Sequence, residues 1–112
     1  MALKPTMREK DRWLALEVAS EGEVSEREVS EAVERAALAF LGQLGVARAG
    51  VRFVEFDAKR GICVLQCNAA EVLSVRAALF LLDEIGKKRA ALRTLAVSGT
   101  LRKLRAKLAS GG

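Results

Sequence analysis

The residues with the clearest chemistry in this chain are cations near its end. The chain has 112 residues, of which 19 are Lys or Arg and 14 are Asp or Glu, yet residues 86–112 hold eight cations and no acid. Inside this stretch, residues 97–103 have the pattern of a strand end, a Gly turn and the basic start of a helix. A helix start offers unpaired N–H groups and the positive end of the helix dipole. The pattern indicates binding of a polyanion, first of all RNA or DNA.

Local structure does not account for these cations. Arg102 and Lys103 fall in the first turn of the predicted helix, where a cation opposes the dipole at a cost of about 0.3–1 kcal/mol. We expect residues 87–89 and 98–107 to form one RNA-backbone surface, because a strand of about six residues between them would span only about 20 Å. A solvated helix face is the alternative. The predicted RNA-binding residues are Lys87, Lys88, Arg89, Arg93, Ser98, Gly99, Thr100, Arg102, Lys103, Arg105 and Lys107.

Catalysis finds little support in the sequence. The chain has no His for general acid–base work, and no Ser or Cys stands in a pattern that supplies a base partner. Glu17, Glu55 and Asp57 could approach one another across neighbouring strands and hold Mg²⁺, which keeps a metal-dependent nuclease as an alternative. Carboxylates at strand ends are more often solvent contacts, so we expect no catalytic residue, no metal and no cofactor.

Two cysteines resemble a metal pair only superficially. Cys63 and Cys67 fall in one predicted strand, where four residues of rise separate them by roughly 13 Å. That distance is too long for a shared metal or a disulfide, so we expect buried, reduced thiols. Residues 1–12 are charged and lack an apolar signal core, which favours the cytoplasm. No apolar run reaches the ~20 residues of a membrane span.

The first half of the chain predicts a strand, a helix and a hairpin. Residues 12–19 alternate as a strand. Ser25 and Glu28 have the spacing of a capping box, and the helix that they open is expected to end at Gly42 or Gly45. Two further strands are predicted at residues 51–57 and 61–67, joined by a short turn.

The second half completes a recognisable order of elements. Asn68 and Glu71 have the pattern of a second helix cap, and the apolar helix after them is expected to run to about Ile85. A basic loop at 87–90, a strand at 92–97 and a helix at 101–109 follow. The order β-α-β-β-α-β-α predicts a ferredoxin-like split β-α-β fold of the α+β class, with two helices on one face of an antiparallel sheet and a short basic C-terminal helix. We expect one domain over residues 12–109, an extension over 1–11 and a frayed tail over 110–112.

The predicted strands are apolar on both faces, whereas a sheet that is wetted on one face alternates. We expect the second face to be covered by a protein partner, by the final helix, or by both, and we expect self-association. The third strand lacks the aromatic residues that stack bases in RNA-recognition modules. The predicted protein-interface residues are Trp13, Ala15, Val51, Phe53, Ile62 and Val64.

Four segments of the chain resemble, in order, the archaeal ribonuclease P protein component 2 family. They are Arg-Trp-Leu-Ala-Leu-Glu at 12–17, Phe-Asp-Ala-Lys-Arg-Gly at 56–61, Val-Arg-Ala-Ala-Leu at 75–79 and Val-Ser-Gly-Thr-Leu-Arg-Lys at 97–103. The resemblance extends from Arg12 to about Lys107, and the last segment is the most specific. Residues before Arg12 match no pattern in the family.

The resemblance implies an accessory subunit of ribonuclease P, the enzyme that removes the 5′ leader from precursor tRNA. In that family the RNA subunit carries the chemistry, and the protein pairs with a TIM-barrel-like subunit, component 3. Two such pairs can join through this type of subunit. Two alternatives stay open: the nuclease named above, and a ferredoxin-like assembly or regulatory module that does not bind RNA.

Overall fold

The computed structural model of the chain describes residues 10–110. Most of the predicted extension over 1–11 and the end of the predicted tail, residues 111–112, therefore lie outside the described residues. Ser110 is the last residue of the final helix. The elements are β1 Asp11–Ser20, α1 Glu26–Ala49, β2 Arg52–Asp57, β3 Ile62–Asn68, α2 Val72–Phe80, β4 Glu84–Ile85, β5 Lys88–Ser98 and α3 Leu101–Ser110, with one turn of 3₁₀ helix at Ala69–Glu71.

The strands form one antiparallel sheet in the order β2-β3-β1-β5-β4. β1 lies in the middle, with Leu14 opposite Leu65 of β3 on one side and opposite Val97 of β5 on the other. The first and last long strands are thus neighbours, as the split β-α-β order requires. The α+β fold predicted from the sequence is confirmed.

Each face of the sheet packs against helices. Leu14 and Leu16 are buried in the main core, which α1 and α2 close on one face. Ala15, between them in sequence, faces the opposite side and is buried with Val64 and Leu104 of α3. Successive side chains of a strand point to opposite faces, so the apolar run of β1 serves two cores.

The predicted capping box of α1 is confirmed. The Ser25 hydroxyl accepts from the Glu28 N–H, and the Glu28 carboxylate accepts from the Ser25 N–H at 2.9 Å, which lowers the pKa of Glu28. The predicted end at Gly42 is confirmed in part, and the alternative end at Gly45 is wrong. Gly42 breaks the helical dihedrals with φ 73° and ψ 174°, but the helix resumes and ends at Ala49, where Gly50 adopts the left-handed cap conformation.

The region after β3 differs from the sequence-based expectation. The Asn68 side chain makes no capping bond and instead donates to the Arg48 carbonyl at the end of α1. α2 ends at Phe80, and Ile85 belongs to β4. Gly86 and Lys87 both have positive φ, 56° and 68°, which is the geometry of a two-residue type I′ hairpin turn. The predicted loop at 87–90 is therefore the hairpin that starts β5.

Candidate nucleic-acid interface

Helix α3 presents its charged residues outward because its apolar residues face the sheet. Thr100 caps the helix, and its Oγ1 accepts from the Lys103 N–H at 3.1 Å. Leu104 is fully buried, and Leu101 and Leu108 are half-buried against the same small core. This apolar spacing leaves Arg102 exposed beside Lys103 at the start of the helix.

Two of the four predicted cations on α3 bind to the protein itself. Arg105 Nη2 lies 2.7 Å from the Glu55 carboxylate of β2, and Lys107 Nζ donates to the Val97 carbonyl at 2.7 Å. These two contacts join α3 to strands β2 and β5 of the sheet. Among residues 10–110, Arg102 and Lys103 form no ion pair. Their charge is available to an external anion.

The other predicted group of cations lies far from α3. β5 has eleven residues rather than six, so Lys88 and Ser98 are about 33 Å apart instead of the expected 20 Å. Two cations at this end stand close to acids. Lys88 is 4.0 Å from Glu28, and Arg89 is 4.0 Å from Glu21.

Arg93 lies between the two groups. Its guanidinium is 3.1 Å from the carboxylate of Glu17 on the neighbouring strand. Arg93 is largely exposed and Glu17 is about half exposed, so the ion pair contributes little to stability, but the carboxylate offsets the charge that Arg93 presents to an external anion. Lys87, in the hairpin turn, is exposed.

Two cations that the sequence analysis did not include lie at the two ends of α3. An Arg12 guanidinium nitrogen lies 3.9 Å from the position that a Cβ on Gly99 would occupy, just before the helix. Arg60 Nη2 reaches the Leu108 carbonyl at the other end, at 3.4 Å. The position of Arg12 could have been predicted, because the split β-α-β order places the start of β1 beside the end of the last strand, where α3 begins. The direction of α3, which decides the contact of Arg60, left no signal in the sequence.

The six predicted protein-interface residues do not share one exposed face. Four lie on the α3 side of the sheet: Ala15 and Val64 are buried beneath the helix, and Trp13 and Ile62 are half-buried at its edges. The two others, Val51 and Phe53, pack against the main core on the opposite face. The final helix therefore supplies the cover that the sequence analysis assigned to a partner, to this helix, or to both.

Six of the seven exposed large apolar side chains among residues 10–110 lie instead on α1, on α2 and just after α2; the seventh is Leu95 of β5. Phe40 and Leu81 flank a groove of about 350 Å³ between the two helices, whose rim includes Asp83 and Glu84. Phe80, beside this groove in sequence, is 80% exposed. Large exposed apolar side chains in one region are typical of a protein-binding surface. We call this region the helical apolar surface; the exposed large apolar residues of α1 and α2, with their connection to β4, are Leu38, Phe40, Leu44, Leu73, Phe80 and Leu81.

The three carboxylates considered for Mg²⁺ are not gathered. Glu17 and Asp57 both pair with Ile62, from opposite sides, so β3 separates their backbones by about 10 Å. Asp57 accepts from the backbone N–H groups of the hairpin turn, and Glu55 binds Arg105. Within residues 10–110 no cluster of three His, Cys, Asp or Glu is close enough to hold a metal ion. The approach of the three carboxylates, considered in the sequence analysis as an alternative, does not occur among the described residues.

Both cysteines are buried free thiols. Burial raises the pKa of Cys63 to about 12, and burial together with Asp11 and Glu71 raises the pKa of Cys67 to about 11. A thiol with a raised pKa is almost entirely protonated at neutral pH, which favours the buried, reduced thiols predicted from the sequence.

Comparison with known proteins identifies the family. The model of the Rpp14/Pop5 family matches residues 12–109. The chain belongs to the Rpp14/Pop5 family. Its relatives include the ribonuclease P protein component 2 of Pyrococcus abyssi, 38% identical over 96% of this chain and 92% of that protein. The component 2 of Thermococcus kodakarensis is 39% identical over 94% and 88%, respectively.

A solved structure supports the fold of this Rpp14/Pop5 chain. A chain in the cryo-EM structure of yeast ribonuclease MRP superposes with a TM-score of 0.64 over 94% of this chain and 95% of that one. Because the sequence identity is 12%, the likeness concerns the fold alone. In the described part of the chain, no helix is both long and apolar enough to cross a membrane.

Proposed function

We propose that this Rpp14/Pop5 chain is an accessory subunit of ribonuclease P. It binds the catalytic RNA and a second protein subunit, and so supports removal of the 5′ leader from precursor tRNA in the cytoplasm. The observation that carries the proposal is the start of α3, where Arg102 and Lys103 are exposed and form no ion pair within the described residues. The relatives named ribonuclease P protein component 2 supply the biological setting.

The RNA-binding residues in this proposal are those predicted from the sequence, centred on α3, with one exception. The predicted residue Ser98 is buried in the structure and is not part of this surface. Gly99 and Thr100 are exposed at its start, and Thr100 holds the first turn in place. Phosphate contacts position an RNA without selecting its sequence, so the chain supports RNA structure rather than reading bases. The proposed chemistry, hydrolysis of the leader, belongs to the RNA subunit.

The protein partner in this proposal occupies the helical apolar surface. α3 already covers the sheet face that the sequence analysis offered, whereas Phe40, Phe80 and Leu81 have no comparable cover among residues 10–110. The resemblance to the component 2 family makes the TIM-barrel-like component 3 the partner to test first. A second copy of this chain, the predicted self-association, is the other occupant to test.

The experiment is a reconstitution with ribonuclease P RNA, the second protein subunit and precursor tRNA. We expect the purified chain alone with Mg²⁺ to cleave nothing, and the complete mixture to cleave faster than the mixture without this chain. The variant with Arg102→Ala and Lys103→Ala should bind the RNA more weakly. Its slope of log affinity against log salt should fall by about 1.4–1.8, or 0.7–0.9 per lost phosphate contact.

A matched control removes two cations elsewhere. Arg27 and Arg76 are exposed on α1 and α2, and changing both to Ala lowers the net charge by the same amount. This control should keep the salt slope of the unmodified chain. Cleavage by the RNA-free protein that is lost on Glu17→Ala would contradict the accessory role, and so would equal slopes for the Arg102/Lys103 variant and the unmodified chain.

A further inference from the structure

The cations around α3 come from three separate parts of the chain. Arg102 and Lys103 lie on the helix, Arg12 lies at the start of β1, and Arg60 lies in the turn between β2 and β3. The ten residues of α3 extend about 15 Å. A nucleic-acid backbone laid along α3 would therefore bring more than one phosphate beside the helix.

Arg12 is held at the start of α3 by strand pairing. β1 pairs with β5 so that Trp13 lies opposite Ser98, which sets Arg12 beside the turn that leads into the helix. Its guanidinium donates to the Asp11 carbonyl at 2.9 Å, and among residues 10–110 it forms no ion pair. The side chain is half-buried, so its position is restricted while its charge stays uncompensated by the described residues.

Gly99 leaves the space beside Arg12 open. Its φ is outside the left-handed region, so the backbone does not require glycine here. A Cβ added at Gly99 would have one contact within 4 Å among residues 10–110, apart from its chain neighbours. That contact is the Arg12 guanidinium at 3.9 Å, an ordinary van der Waals distance. The protein's own packing therefore gives no reason for the missing side chain, whereas a close external group would.

Arg60 is held at the other end of α3 by a fixed turn. Asp57 Oδ1 accepts from the N–H groups of Lys59 and Arg60, at 3.0 and 3.2 Å. The Arg60 guanidinium then reaches the Leu108 carbonyl, one of the carbonyls that a helix end leaves unpaired. Arg60 and Lys59 are both exposed.

The other route for an RNA backbone, along β5 to the hairpin, passes acidic side chains. Glu17, Glu21 and Glu28 stand within 4.0 Å of Arg93, Arg89 and Lys88, respectively. Each carboxylate both offsets its cation and repels a phosphate. Along α3, Glu55 binds Arg105, and Asp57 caps the turn that carries Lys59 and Arg60. The cations proposed to face the RNA, Arg12, Arg60, Arg102 and Lys103, form no ion pair among residues 10–110.

We propose that the RNA backbone runs along α3, from Arg12 and Gly99 at one end to Lys59 and Arg60 at the other, and not along β5 to the hairpin. The proposal rests on the proposed function, because it assigns a direction to that RNA contact. It adds Arg12, Lys59 and Arg60 to the contact surface and removes residues 87–89.

The test compares two double variants that remove the same charge. One carries Arg12→Gln and Arg60→Gln, and the other carries Lys87→Gln and Arg89→Gln. Binding of the ribonuclease P RNA is measured over a range of KCl concentrations. We expect the first variant to lower the salt slope by about 1.4–1.8 and the second to leave it unchanged. An unchanged slope for the first variant, or an equal or larger fall for the second, overturns the proposal.

Two further measurements keep the outcome decisive. Arg60→Gln removes the contact with Leu108, so a loosened α3 would confound the double variant; Arg12→Gln alone avoids this and should lower the slope by about 0.7–0.9. The Arg102/Lys103 variant separates the two proposals. If it lowers the slope while Arg12→Gln does not, the direction is wrong and the proposed function stands. If the unmodified chain does not bind the RNA, both are wrong.

Discussion

Truncation of Leu104 to Ala should show whether α3 is docked on its own sheet in solution. Leu104 is fully buried between Ala15 and Val64, and it is the central apolar residue of α3. Removal of a buried Leu side chain to Ala costs about 2–5 kcal/mol, depending on how far the site can collapse. α3 packs on one side only, so the site left by the removed side chain can close partly, and we expect a cost of about 2–3 kcal/mol.

The assay uses the single Trp of the chain. Trp13 packs against the α3 core, and the chain has no Tyr, so its fluorescence reports the surroundings of α3. When urea unfolding is followed by Trp13 emission, the midpoint of the Leu104→Ala variant should lie at a lower urea concentration than that of the unmodified chain. Far-UV circular dichroism should follow the whole fold. If α3 separates first, the emission of Trp13 will move to longer wavelength before the helical signal is lost.

The matched control is Leu73→Ala on α2. Leu73 is 78% exposed, so the same truncation should change the free energy of unfolding by no more than about 0.5 kcal/mol. A cost for Leu104→Ala as small as this, with unchanged Trp13 emission, would contradict the docking of α3 on its sheet. In that case α3 would not cover the sheet, and Ala15 and Val64 would be open to a partner.

Two other predictions concern the thiols and the helical apolar surface. Burial raises the pKa values of Cys63 and Cys67, so the thiols of the unfolded chain lose their protons first as the pH rises. The free energy of unfolding should therefore fall above about pH 9, by up to ~1.4 kcal/mol per pH unit for each thiol. Urea titrations from pH 7 to 10 should show a smaller fall for the variant in which both Cys63 and Cys67 are changed to Ala. Phe80→Ser should change the free energy of unfolding by less than about 0.5 kcal/mol. The same variant should weaken binding of the second protein subunit by about 1–2 kcal/mol in calorimetry, and unchanged binding would contradict the proposed surface.

The sequence predicts the sheet but not its irregularities. Strict alternation would put Phe53 and Phe56 on opposite faces, yet both pack in the main core because β2 shifts register between Phe53 and Glu55. A bulge inserts one residue, so every later side chain moves to the other face. The residue types of β2 do not mark this position. The assignment of Phe53 to the second face failed for this reason.

The predicted end of α2 and the predicted start of β5 were wrong, because the sequence pattern of each element continues into the residues beside it. Ile85 continues the apolar pattern of α2, although it belongs to β4. The charged residues Lys88 and Arg89 then hide the start of β5, whose alternation becomes visible only at Leu92. Gly86 was the available turn signal, since its positive φ is what the two-residue hairpin requires.

The candidate site could be predicted from the sequence only in part. Arg102 and Lys103 stand out because they are close together in the sequence and follow a turn. Arg12 and Arg60 come from the part of the chain in which acids outnumber bases, so charge clustering along the sequence does not reveal them. Their proximity to α3 follows from strand order and from the direction of the helix, which are tertiary properties.

The cover that α3 gives the sheet also determines where partners can bind. α1 and α2 close one face of the sheet, and α3 closes the part of the other face that is apolar. Among residues 10–110, two of the surfaces left for large partners are therefore the outer sides of helices: apolar on α1 and α2, basic on α3. These two surfaces share no residue and have the sheet between them. A protein on the helical apolar surface and an RNA along α3 would therefore bind to the same chain without displacing each other, which is what a subunit that joins an RNA to a protein requires.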